Sequence, residues 1–150
     1  MRNLTLLLFT IMIISCGNQK KLSGETEQSS VSIYHQWKLT NIGEETIDTE
    51  SMPKLIQITF SKEEKRFFGS DGCNQISGSF EVIEDNLKFG PSMRTKMACM
   101  DMHIPDLFGQ ILSKVTSFKT KEIKNVEVSE TTLELLDKDG NMLMLFEMMK

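Results

Sequence analysis

The chain is poor in the side chains from which most catalytic and metal sites are built. Its 150 residues hold two histidines, His35 and His103, far apart in sequence. No nucleophile-elbow motif accompanies them, and no glycine-rich loop of the kind that cradles phosphate is present. Three cysteines occur without a Cys-x-x-Cys, the usual setting of a low-pKa redox thiol. The stretch "DKDGN" sets two acids before Gly140 but lacks the remaining ligands of a calcium loop. A net charge of −4 excludes a general attraction for nucleic acid. There is no internal repeat. These absences argue against catalysis and call for no cofactor.

The N-terminus is set apart from the rest. Arg2 supplies one positive charge, and "LTLLLFTIMII" (Leu4–Ile14) is an uncharged apolar run of 11 residues. A membrane span needs about 20, so the run fits the core of a secretory leader. It ends in "IISC", which resembles the bacterial lipobox with Ile13 where Leu is usual. The resemblance implies a leader over residues 1–15, cleavage before Cys16 and lipidation of that cysteine. An unlipidated leader cut nearby is the alternative. Removal of Arg2 leaves 16 Lys and Arg against 21 Asp and Glu, or about −5. Residues 16–32 hold few apolar side chains and read as a flexible tether. Gly17 is not a residue that retains lipoproteins at the inner membrane. The expectation is therefore a lipid-anchored envelope protein, at the periplasmic face of the outer membrane before the inner, with surface exposure left open.

Lipidation of Cys16 also resolves the odd cysteine count. Cys73 and Cys99 remain as a pair in an oxidising compartment, where disulfides persist. A disulfide staple is the reading adopted, ahead of a redox pair.

From residue 33 to 150 the pattern is mainly period-2. Trp37 and Leu39 share one face, as do Ile56, Ile58 and Phe60. Ile76, Phe80 and Val82 keep one parity, broken only by Gly78, and Leu87 and Phe89 mark a short strand. Asp139-Gly140 is a hairpin turn, with Met142, Met144, Phe146 and Met148 along its second arm. One segment departs from this rule. Leu107, Phe108, Ile111, Leu112, Val115 and Phe118 recur at helical spacing, and Pro105 suits a first turn. The spacing predicts one amphipathic helix over about 105–118. The fold expected is mainly β: a small antiparallel barrel or strongly curved sheet with one packed helix.

Two motifs, "GSDGCNQISGSF" and "LKFGPSMRTKMAC", closely resemble the central pattern of the META domain, the HslJ-like family of bacterial envelope proteins. The matching positions are Gly72, Cys73, Asn74, Ile76, Gly78, Phe80, Phe89, Gly90, Thr95, Met97 and Cys99. The acid near the helix start, often Glu in the family, is Asp106 here. The resemblance implies an antiparallel β fold with one helix, a frequent lipid anchor, and an association with heat shock, envelope stress and toxic compounds. It implies no settled biochemical activity. Asn74 is expected to bond locally in its turn, since Asn tolerates a left-handed conformation.

The remaining candidate chemistry is sulfur. "MRTKMACMDMH" gathers Met93, Met97, Cys99, Met100, Met102 and His103 within eleven residues, and such soft ligands suit Cu(I). Methionine also fills core gaps, and a disulfide would remove Cys99 as a ligand, so core packing ranks first. The expected function is a non-enzymatic, monomeric, stress-related binding or protection module, partnered by the membrane through its lipid and by an envelope protein or small apolar ligand. A barrel holding a ligand inside, and a pilot or chaperone lipoprotein, are the alternatives. A filled interior disfavours the first of these, and the second expects an exposed apolar groove.

Overall fold

Alternation of apolar and polar side chains produces the strands, and their buried parity produces the core. A computed structural model of the chain describes residues 31–49, 52–124 and 129–150. The expected leader, the expected lipidation at Cys16 and the expected tether up to residue 30 lie outside these. The strands are β1 (Gln36–Ile42), β2 (Glu45–Thr46), β3 (Ile56–Ser61), β4 (Arg66–Asp71), β5 (Gln75–Ile83), β6 (Asn86–Arg94), β7 (Ser117–Lys124), β8 (Ser129–Leu136) and β9 (Met142–Met148). One helix, α1 (His103–Leu112), falls between β6 and β7.

All pairings are antiparallel, in the order β2-β1-β3-β4-β5-β6-β7-β8-β9, and β9 returns to pair with β1. The sheet is thus strongly curved and closes in a ring. Its narrowest join is between β6 and β7, which meet at the single pair Asn86–Ser117 among the described residues. The connection through α1 leaves from the other end of β6, at Arg94, and returns to this seam at Ser117.

The inward parities fill the ring. Trp37, Leu39, Ile56, Ile58, Phe67, Leu87, Leu133, Leu135, Met144 and Phe146 are fully buried. Each such side chain contributes about 1.5–3 kcal/mol by leaving water. Phe108 of α1 joins them, with Ile104, Ile111 and Leu112 beside it in one continuous cluster. Ile33 is buried at the other end, and its carbonyl accepts the Trp37 Nε1–H at 2.8 Å. The interior is therefore occupied by side chains. Gly78 is part of this fit: a Cβ there would sit 2.5 Å from the Phe67 ring and 2.9 Å from the Pro91 carbonyl oxygen. The parity break in β5 is a bulge between Gly78 and Phe80 that shifts the register against β6.

The helix is shorter than its apolar spacing predicts and starts two residues earlier. Val115 and Phe118 are buried in the common core, but not from a helix. The Thr116 N–H donates to the Leu136 carbonyl at 2.9 Å, and Phe118 N–H to Asp85 at 2.9 Å. Sheet hydrogen bonds claim this β-branched segment before a fourth turn can form.

Candidate functional site

The "DGCN" turn between β4 and β5 is built around Asp71, which is 1% exposed. Its Oδ1 accepts the N–H groups of Cys73 at 3.0 Å and Asn74 at 2.6 Å. Its own N–H donates to the Asn74 carbonyl at 3.1 Å. Gly72 carries the left-handed residue of the turn, at φ +98°, which costs glycine nothing. Asn74 does not take that conformation, contrary to expectation, because Gly72 already does.

Asn74 instead works at long range. Its buried Oδ1 accepts the Met97 N–H at 2.7 Å and the Thr95 hydroxyl at 3.2 Å. Thr95 Oγ1 in turn accepts the Gln75 N–H at 3.0 Å. Cys73 and Cys99 are joined by a disulfide, with Cα atoms 6.1 Å apart. The segment after β6 is thus fastened to the turn by one covalent and several polar links.

A third fastening was not visible in the sequence. Arg94 Nε stands 2.8 Å from Asp71 Oδ2, and Arg94 Nη1 lies 3.0 Å from Asp106 Oδ1 in the first turn of α1. Oδ2 receives no well-aligned hydrogen bond, so its tie to Arg94 is ionic. The Asp-x-Cys-Asn spacing, an acid two residues before a turn N–H, is the signal that could have found Asp71. Arg94 has no such signal, since its two partners are 23 positions before it and 12 after it. Taken together, these polar groups are spent on one another and hold backbone, which is a structural task.

Around this latch the methionines face outward. Met93 is 67% exposed, Met97 48% and Met100 fully, while Met102 is partly buried and His103 exposed. Core packing therefore does not explain the first three. The chain after β6 lies over the ring instead of entering it, and α1 supplies the core from there. Phe68, 39% exposed, belongs to the same surface. It pairs across β4–β5 with Ser77, which pairs across β5–β6 with Met93. Open hollows of about 370 and 490 Å³ flank Arg94, one edged by Phe68 and Met93, the other by Met97 and Met102. The Met97 sulfur accepts a hydrogen bond from Lys54 Nζ at 3.4 Å. Gly78 sits beside this corner, opposite Ser92 in the β5–β6 register, while Phe80 lies apart, buried against Phe60 with ring centroids 5.0 Å apart. No group of three His, Cys, Asp or Glu at metal-binding distance occurs among the described residues. No helix there is long and apolar enough to cross a membrane.

Solved structures share this architecture. An NMR structure of a protein from Burkholderia xenovorans has 21% identity, covering 77% of this chain and 81% of the other, with a TM-score of 0.53. A second NMR structure, at 16% identity, covers 79% and 95%, also with a TM-score of 0.53. At these identities the likeness is one of fold. No curated protein matches the chain. The family model of the META domain matches residues 30–150, and with the latched Cys73–Cys99 corner inside that span, the chain belongs to the META domain family.

Proposed function

We propose that the protein is a non-catalytic binding module of the bacterial cell envelope, held by lipid on Cys16 and serving in tolerance of heat or toxic compounds. Its working surface is the latched corner, and its occupant there is a protein partner. One observation carries this: four large apolar side chains, Phe68, Met93, Met97 and Met100, are exposed beside a backbone fixed by a disulfide and buried hydrogen bonds. Flexible thioethers on a rigid base suit an adaptable protein contact. The filled interior disfavours a ligand inside the ring. A soft metal at the same methionines is disfavoured too, because Cys99 is bonded to Cys73 and an ammonium already sits on the Met97 sulfur.

The test is site-specific photo-crosslinking in cells from position 97, with position 138 on the β8–β9 hairpin as control. A discrete adduct from 97 alone, lost in Phe68→Ser/Met93→Ser while the melting temperature holds, is expected. Equal labelling from both positions, or an adduct that survives the double substitution, overturns the surface assignment. Retention of Cys16→Ser in the membrane fraction overturns the anchor.

A further inference from the structure

At the end of the ring opposite the disulfide, several elements converge on Tyr34. They are the segment before β1, the β3–β4 turn, the end of β5, the β5–β6 turn and the start of β7. Two adjoining cavities of about 520 and 430 Å³ open there and share Tyr34 and Val82. The larger is lined by the rings of Tyr34 and Phe80, whose centroids are 6.2 Å apart. Phe80 is braced edge-on by Phe60, so this apolar surface is fixed by the core behind it.

Two ammonium groups stand over it. Lys62 Nζ lies 5.5 Å from the Tyr34 ring centroid, and Lys65 lines the same cavity. Neither forms an ion pair among the described residues. One carboxylate, Glu81, also lines the cavity, and it stands opposite Lys88 in the β5–β6 register. Two cations against one anion give this hollow the opposite sign to the chain, whose net charge is −4.

The backbone supplies a second observation. Among the described residues, Lys65 at φ +51° and Glu84 at φ +55° are the non-glycine residues with positive φ. Lys65 lines the larger cavity and Glu84 the smaller. Glycine adopts this conformation without steric cost, and strained residues of this kind gather at binding sites. The Lys65 carbonyl accepts the Phe80 N–H at 3.2 Å, which locks the turn to the cavity's aromatic lining. A backbone that favours glycine thus carries a lysine, and its ammonium stands at the rim of an aromatic hollow.

From these features we infer that the cavity binds a small organic anion with a flat apolar body, of the aromatic carboxylate class. Its ring lies against Tyr34 and Phe80, and its anionic group lies between Lys62 and Lys65. The volume falls within the roughly 300–1,000 Å³ of small-molecule sites, and two ammonium donors supply charge-assisted hydrogen bonds to a carboxylate. The site is independent of the methionine surface at the other end of the strands.

The test titrates the full chain with 2-naphthoate and with its neutral amide, following the ring resonances of Tyr34, the sole tyrosine. Saturable shifts with naphthoate are expected, with the amide at least about tenfold weaker, as loss of one charge-assisted contact implies. Lys62→Gln and Lys65→Gly are each expected to weaken naphthoate about tenfold. Lys65→Gly leaves the melting temperature unchanged or higher, because it relieves the left-handed backbone, and this separates binding from folding. Absence of a saturable shift, equal affinity for the amide, or undiminished binding in both variants overturns the inference.

Discussion

The side-chain oxygen of Asn74 accepts the backbone N–H of Met97 at 2.7 Å, across 23 positions of sequence. A residue in a tight turn therefore holds in place the chain that follows β6, and the turn is only half of its task. Asn74 is 1% exposed, so removing its amide takes the acceptor from the part-buried hydrogen bonds of the Met97 N–H and the Thr95 hydroxyl. Asn74→Ala is expected to cost about 2–3 kcal/mol in urea unfolding. Thr95→Val, at an exposed position, should cost less than about 1 kcal/mol.

The disulfide closes a loop of sequence separation 26. In the chain-entropy account such a loop is worth roughly 3.5 kcal/mol. Cys73→Ala/Cys99→Ala should lose about that much stability. Intact mass after alkylation should show neither cysteine labelled before reduction and both labelled after it. Labelling of both before reduction would return the sulfur-rich segment to consideration as a metal or redox site.

Arg94 is the shared cation of a buried and an exposed acid. Its side chain is 32% exposed, so the pair with Asp71 falls short of a fully buried bridge. Arg94→Gln should cost about 2–3 kcal/mol by leaving the Asp71 carboxylate without its counter-charge. Asp71→Asn keeps an oxygen for the N–H groups of Cys73 and Asn74. The double variant Asp71→Asn/Arg94→Gln should therefore be less destabilised than the sum of the two single changes. A double-mutant cycle in denaturant measures this coupling, and strict additivity would contradict it.

Asp137 organises the β8–β9 hairpin. Its carboxylate accepts the N–H groups of Asp139 and Asn141 at 2.9 Å each, and the Asn141 side-chain amide at 3.0 Å. The hydrogen bond from the Asn141 side chain, then its backbone N–H, holds the Asp137 pKa below the usual 3.8. A depressed folded-state pKa stabilises the folded chain above the unfolded value, and that contribution is lost as pH falls from about 4 through the folded value. Asn141→Ala should raise the Asp137 carboxyl titration midpoint toward 3.8 and flatten stability against pH in this window. Carbon-detected NMR of the side-chain carboxyl reads it.

Most strands were legible because their apolar parity is regular, as in Ile56, Ile58 and Phe60. Closure of the ring was not legible. Thr40 Oγ1–H donates to the Leu145 carbonyl across 105 positions, and no local pattern reports such a contact. The helix end is not legible because Val115 and Phe118 satisfy helical spacing and burial in the sheet core equally. The exposure of the methionines near Cys99 is not legible because composition gives hydrophobicity and not the side of the sheet on which a segment lies. In the latch, Cys73, Cys99 and Asn74 stand in recognisable motifs. Asp71 carries a local signal in its Asp-x-Cys-Asn spacing, but its pairing with Arg94 has none, since that depends on where two separate strands end.

The pairing of β1 with β9 also fixes when the molecule can finish folding. The Met149 N–H donates to the Gln36 carbonyl at 2.9 Å, so one edge of the first strand is satisfied only by the ninth. Until Met142–Met148 docks, β1 and β8 each present a bare hydrogen-bonding edge and the core stays open to water. Displacement of β9 would leave an unclosed sheet prone to pair with its neighbours.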